Sequence, residues 1–308
     1  MAEAPRIHIP SGDRPDLEQA VRDGGGVLAP LEDADGLVSL TGDPAKLPEL
    51  PDSVRWVQLP SAGVEQWVRS GVVRDGRAWT SATGSFGLPV AEHALALILA
   101  ADKSLHSFAR ERSWIENGRH QVRSLAGGTV LIVGAGGIGR ALIGLLKPFG
   151  AEVIAVTRRG REIAEPARPA RTLPADRLGE VWGEARHVVI AAPATDGTRR
   201  LVGAPELAAM REDAWLVNVA RGSLVDTDAL VEALRSGSIA GAALDVTDPE
   251  PLPDGHPLWE LPNVLITPHV ATPPETERIA FAARVRENVR RLAAGVELEG
   301  LIDPEGGY

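Results

Sequence analysis

The sequence predicts an α/β protein with two Rossmann-like/flavodoxin-like parallel-sheet domains, one of them discontinuous. Three observations carry this. The 308 residues are about twice the length of a common single domain. Strand-length apolar runs alternate with helix-like stretches along the chain, as in parallel sheets covered by helices on both faces. A glycine-rich segment, Gly134-Ala-Gly-Gly-Ile-Gly139, lies directly between a strand-like and a helix-like run.

Residues 6–9, 36–40 and 54–59 read as strands, the last β-branched and aromatic. Residues 16–22 and 64–69 have helical composition. From Pro89 to Ala101 a first-turn proline precedes a run of Ala and Leu, which predicts a buried connecting helix. Six further strands are expected at 129–133, 152–156, 187–192, 214–219, 241–246 and 264–267, apolar throughout as fully covered strands should be. Residues 138–149 read as a helix ended by Gly150, and 158–173, rich in Arg, Pro and Glu, as a loop. The last helix, 275–294, places apolar residues at Ile279, Ala282, Ala283, Val285, Val289 and Leu292. It carries the chain back to the first unit.

Composition narrows the chemistry. The formal charge of −10 provides no overall positive field for nucleic acid or anionic lipid. With no cysteine there are no disulfides, thiol nucleophiles or Cys-ligated zinc, and no metal site is expected. The lysines are Lys46, Lys103 and Lys147 and the single tyrosine is Tyr308, so no Tyr-x-x-x-Lys proton-donating pair exists. The first residues carry no apolar leader and no run reaches the ~20 residues of a membrane span, so a soluble, cytoplasmic protein is expected.

The glycine loop is the most specific local signal. Gly134 permits the tight strand-to-helix turn, Gly136 lets backbone approach a pyrophosphate, and Gly139 lets helix pack on strand. Amides at the start of the helix, Gly137 and Ile138 among them, would face the anion. An NAD site would place a carboxylate at the end of the next strand, but Thr157-Arg158-Arg159 stands there. Loss of the carboxylate removes repulsion of a 2′-phosphate and guanidinium groups bind it, so NADP is expected over NAD.

Three blocks follow in order: Val217-Asn-Val-Ala-Arg-Gly-Ser-Leu-Val-Asp226, Leu244-Asp-Val-Thr-Asp-Pro-Glu-Pro251 and Ile266-Thr-Pro-His-Val-Ala271. Together with Ala192-Pro-Ala-Thr-Asp-Gly-Thr198, Trp56-Val-Gln-Leu-Pro-Ser-Ala-Gly-Val64, Val90-Ala-Glu-His-Ala-Leu95 and the ending Asp303-Pro-Glu-Gly-Gly-Tyr308, they resemble the D-isomer-specific 2-hydroxyacid dehydrogenases, in particular NADP-preferring glyoxylate/hydroxypyruvate reductase-like members. The resemblance runs through nearly the whole chain. It implies a substrate domain of residues 1–96 plus 283–308, a dinucleotide domain of 97–282, a homodimer, and reduction of a small 2-oxo acid.

It also implies residue roles. Arg221 would bind the substrate carboxylate and polarise the carbonyl, His269 would deliver the proton, and Glu250 would favour the imidazolium and orient it. Histidine suits proton transfer near neutral pH, and a planar guanidinium suits a carboxylate. Amides of Ser61, Ala62 and Gly63 would complete the carboxylate grip from the other domain. Asp245 would contact the nicotinamide carboxamide, and Ala192, Pro193, Val219 and Ala220 would line the cofactor site with His269. His93, His106, His120, His187 and His256 are expected to be structural or exposed, and Trp114 and Trp215 to be packing residues. Phe86 and Leu88 are read as pocket or core residues. Two rival readings stay open: a non-enzymatic dinucleotide-sensing interaction protein, and a dehydrogenase of formate, phosphite or a phosphorylated hydroxyacid on the same scaffold.

Overall fold

The computed structural model describes residues 3–114, 121–165 and 167–306. His120 lies outside the described residues. The chain divides into two compact units, Met1–Phe86 with Pro273–Tyr308, and Gly87–Thr272.

In the first unit, strands β1 (Arg6–His8), β2 (Val27–Leu28), β3 (Gly36–Val38), β4 (Trp56–Gln58) and β5 (Ala78–Thr80) pair in parallel in the order β2-β1-β3-β4-β5. This is flavodoxin-like order. Helices α1 (Pro15–Asp23) and α2 (Glu65–Ser70) flank the sheet. Side chains alternate between faces: Ile7, Val38 and Trp56 pack with Leu17 and Val21 of α1, whereas Leu37, Val57 and Leu59 pack with Trp67 and Trp79. Strands β2 and β5 are not legible in the sequence. The first is two exposed residues at an edge, and the second derives its order from pairing with β4 rather than from its own composition.

In the second unit, α3 (Gly87–Asp102) and the short α4 (Leu105–Phe108) lead to a seven-stranded parallel sheet. Its strands are β6 (Thr129–Val133), β7 (Glu152–Thr157), β8 (Arg171–Pro174), β9 (His187–Ile190), β10 (Trp215–Asn218), β11 (Gly241–Leu244) and β12 (Val264–Ile266), ordered β12-β11-β10-β9-β6-β7-β8. Helices α5 (Gly137–Leu146), α6 (Ala204–Ala209), α7 (Thr227–Ser236) and α8 (Pro257–Glu260) connect them. The strand order reverses at β6, which creates the crevice of a doubly wound sheet where nucleotides bind. The expected loop at 158–173 is a strand at its end: β8 pairs with β7 alone and buries only Leu173, so its Arg- and Pro-bearing sequence is that of an edge.

The chain returns to the first unit in α9 (Pro274–Ala294). The expected apolar stripe holds at Val285 and Val289, fails at the exposed Ile279 and Ala283, and gains Phe281. Ile279 is 65% exposed, while Phe281, Val285 and Val289 enter the core beside α1. Asn288 is fully buried and donates to Gln58 Oε1 at 2.8 Å and to Glu299 O at 2.9 Å, fastening α9 to β4 and to the chain end. The expected divisions at 96 and 283 would cut α3 and α9; each helix instead stays whole with the sheet it covers. No helix among the described residues is long and apolar enough to cross a membrane.

Candidate active site

The glycine loop closes the crevice side of β6. Gly134 has φ +100°, and a Cβ there would lie 2.5 Å from Ala192 N, so this glycine is required both by backbone conformation and by the approach of the loop after β9. A Cβ on Gly139 would lie 2.4 Å from Gly134 O, which sets how closely α5 sits on its strand. Gly136 faces open space, with nothing within 4 Å of its Cβ position. The exposed Gly136 and Gly137 and half-buried Ile138 thus present the first-turn amides of α5 beside an open cradle. Thr157, at the end of β7, has a buried Oγ1 with no hydrogen-bond partner among the described residues. An open backbone cradle and an orphaned hydroxyl fit a dinucleotide whose phosphates lie on α5 and whose ribose reaches β7.

The next two residues, Arg158 and Arg159, are exposed. Gly160 N donates to Thr157 O at 3.3 Å, Gly160 has φ +65°, and Arg159 forms an antiparallel bridge with Pro174. The arginine-bearing turn is therefore tied to the end of β8. Ala192 is partly buried and Pro193 exposed after β9, while Val219 and Ala220 are buried after β10.

The three residues expected to carry chemistry follow three adjacent strands. Arg221 follows β10, half-buried, its backbone oxygen accepting from Asn218 Nδ2 at 2.9 Å and its Nη1 donating to Ala220 O at 2.8 Å. Glu250 follows β11, and His269 follows β12. A Cβ on Gly222 would lie 1.9 Å from Thr247 O, so the loops after β10 and β11 are in direct contact. His269 Nδ1 and Glu250 Oε1 are 2.7 Å apart, with both side chains about half exposed. A carboxylate only accepts, so Nδ1 carries the proton in this pair and Nε2 is the ring nitrogen that lies outside it.

His269 itself has φ +53°, rare for a residue with a Cβ. Asp245 holds it there. The Asp245 carbonyl accepts from His269 N at 2.8 Å, while its carboxylate, 1% exposed, accepts from Thr267 Oγ1 at 2.6 Å, Val270 N at 3.0 Å and Ala271 N at 3.2 Å. Burial raises this carboxyl's pKa, but hydrogen bonds from His93, Thr267 and Val270 outweigh it and bring the value down to about 2. A pKa depressed on folding stabilises above the ordinary value of 3.8 and ceases to do so as pH falls through about 2. The depression corresponds to about 2 kcal/mol. Asp245→Asn is therefore expected to melt below wild type at pH near 6, and the gap should close as pH falls toward about 2; a gap constant with pH would sink this reading.

In the first unit, Ser61, Ala62 and Gly63 follow β4. Their carbonyls are engaged: Ser61 O accepts from Ala82 N, Ala62 O from Thr83 Oγ1 at 3.0 Å and Gly63 O from Ser61 Oγ at 2.8 Å. That fixes the loop and leaves its amides as the donors it can offer. Phe86 packs against this unit's core and Leu88 is 61% exposed.

Of the other histidines, His187 is buried against Asp102 at 3.0 Å at the opposite end of the sheet, His256 caps α8, and His106 meets Trp215 edge-on. Trp114 is 94% exposed, which corrects its expected packing role. His93 is structural, hydrogen-bonded to Thr267 Oγ1 at 2.9 Å. It reaches the loop of His269, and the Val90-Ala-Glu-His-Ala-Leu95 block is the only signal for it in the sequence.

Known proteins resemble this chain over nearly its whole length. Residues 94–271 match the family described as D-isomer specific 2-hydroxyacid dehydrogenase, NAD binding domain. A glyoxylate reductase of Aeropyrum pernix is 35% identical over 292 residues, covering 91% of this chain and 86% of that protein. A D-isomer specific 2-hydroxyacid dehydrogenase from Xanthobacter autotrophicus, solved in complex with NADPH and MES, superposes with a TM-score of 0.78 at 29% identity, covering 99% of this chain and 100% of that one. An NAD-complexed 2-hydroxyacid dehydrogenase from Lactobacillus delbrueckii shares the fold, with a TM-score of 0.77 at 22% identity over 97% of this chain and 99% of that one.

Proposed function

The chain belongs to the D-isomer-specific 2-hydroxyacid dehydrogenase family, and from that premise we propose that it reduces a small 2-oxo acid reversibly to the D-2-hydroxy acid, preferring NADPH to NADH. The observation that carries this is the 2.7 Å His269–Glu250 pair on the strand-end rim that also bears Arg221. Carbonyl reduction needs a hydride at carbon and a proton at oxygen. When bound, the reduced nicotinamide supplies the hydride.

The chain's residues supply the rest. Arg221 forms the charge-assisted grip on the substrate carboxylate and polarises the carbonyl. His269 Nε2 gives the proton to the carbonyl oxygen, and Glu250 balances the imidazolium and holds the ring. In the reverse direction His269 is the base. Gly134, Gly136, Gly137, Ile138 and Gly139 bind the pyrophosphate, while Ala192, Pro193, Val219 and Ala220 flank the dinucleotide. Asp245 is the residue that would contact the nicotinamide carboxamide. Chirality follows from these fixed directions of approach.

A spectrophotometric screen of glyoxylate, hydroxypyruvate and short branched 2-oxo acids against NADPH and NADH tests the assignment. Turnover with at least one acid is expected. Tight NADPH binding without turnover across the panel would overturn it in favour of dinucleotide sensing.

Family members carry either cofactor, so the preference rests on this chain's Thr157-Arg158-Arg159 turn. A charged hydrogen bond to phosphate contributes about 1.5–3 kcal/mol, or roughly tenfold and upward in affinity. Arg158→Ala and Arg159→Ala should each raise KM for NADPH at least about tenfold and leave KM for NADH within about twofold. A wild-type enzyme with higher kcat/KM for NADH would refute the preference.

A further inference from the structure

His93 has a place that neither its sequence context nor the proposed chemistry assigns. It lies on α3, whose Ala91, Ala94, Leu97 and Ile98 are buried and seat the helix firmly in the second unit. Its Nε2 is 2.9 Å from Thr267 Oγ1 and 3.3 Å from Asp245 Oδ1, 174 residues along the chain from Thr267. Counting protons orients this cluster. Thr267 Oγ1 has one hydrogen and donates it to Asp245 Oδ1 at 2.6 Å, so toward His93 it can only accept. Nε2 of His93 therefore carries the proton, and the bonds run from His93 through Thr267 to Asp245.

Asp245 is where the loop of His269 is fastened. Three consecutive amides, of His269, Val270 and Ala271, end on its carbonyl and its two carboxylate oxygens. His269 sits at φ +53°, a conformation that persists only where its surroundings hold it. A carboxylate 1% exposed must be matched by donors, and a donor that is itself fixed on a packed helix restrains the carboxylate's direction as well as its charge.

We infer that His93 is a positioning residue for His269, acting through Thr267 and Asp245 to hold the 267–271 loop in the geometry that proton transfer requires. His93 itself touches no reacting atom. The inference rests on the proposed role of His269 for its catalytic consequence, but not for the loop restraint, and the two are tested separately.

Hydrogen exchange of the 269–271 amides is measured in wild type, His93→Ala, His93→Gln and Thr267→Val, with steady-state kinetics on the same proteins. In His93→Ala the Val270 and Ala271 amides should exchange at least about tenfold faster while those of β6 are unchanged. Its kcat should fall about tenfold with KM for the 2-oxo acid altered less than about threefold. His93→Gln, which keeps a donor able to reach Thr267, should recover most of both losses. Thr267→Val removes the hydroxyl between His93 and Asp245 without touching α3 and leaves the direct 3.3 Å contact of His93 Nε2 with Asp245 Oδ1, so it should give part of the faster exchange even if His93→Ala does not fold, and adding His93→Ala to it should increase the exchange further. Unchanged exchange at 269–271 in the alanine and valine variants, or a glutamine variant as impaired as alanine, would overturn the inference. If wild type turns over no 2-oxo acid, the proposed function fails, and the exchange measurements still decide the role of His93.

Discussion

His269→Ala should lower kcat for 2-oxo acid reduction on the order of 10³-fold while leaving NADPH binding nearly intact. Proton transfer by a positioned side chain contributes roughly 10²–10⁴-fold, and no other histidine among the described residues is paired with Glu250. Water can reach a half-exposed site and supply a proton slowly, which leaves a residual rate rather than none. The loss should appear in kcat and in kcat/KM together, since the interaction removed belongs to the transition state. Glu250→Gln is the informative companion. A glutamine oxygen still accepts from Nδ1 at the 2.7 Å position but carries no charge, so its activity should fall between wild type and His269→Ala. Stopped-flow reduction and fluorescence-monitored NADPH titration check both variants. An alanine variant retaining more than about a tenth of wild-type kcat would remove His269 from the chemistry.

Arg221→Lys should reduce kcat/KM about 10²-fold, and Arg221→Ala about 10³-fold. Lysine keeps the charge but not the planar two-pronged donor that grips a carboxylate, and its ammonium cannot reproduce the bond from Nη1 to Ala220 O while also facing a substrate. The backbone at this position is extended, with φ −145° and ψ +143°, and its carbonyl is held by Asn218, so the substitution changes the head group on a fixed base. Because the same group binds the carboxylate and polarises the carbonyl, KM should rise and kcat fall. Equal activity of the lysine variant would assign carboxylate binding elsewhere.

Much of the second unit is legible in the amino-acid sequence because its chemistry is local. Strands β6, β7, β9, β10 and β11 lie inside the sheet, so each is a largely apolar run with visible ends. The glycine loop is legible because backbone geometry and close approach at Gly134 and Gly139 tolerate no Cβ, a constraint written into residue type. Edge strands β2, β5 and β8 are not, since each gains its order from one neighbour and keeps a loop's composition, whereas the edge strand β12 is itself an apolar run and is legible. The face of α9 also escapes local reading: Ile279 and Phe281 are both apolar, and only packing against α1 decides which is buried.

The candidate site divides in the same way. By itself the sequence determined the residue types and their order, Arg221, Glu250 and His269 after successive apolar runs, and it was the resemblance of the blocks around them that singled them out. The tertiary structure alone decided that Nδ1 of His269 faces Glu250, that Gly222 lets two strand-end loops touch, and that His93 meets Thr267 and Asp245. The physical reason is range. Composition and periodicity report what a residue does to its own few neighbours, whereas a hydrogen bond spanning 174 residues exists only once the sheet and its covering helix have brought the two ends together.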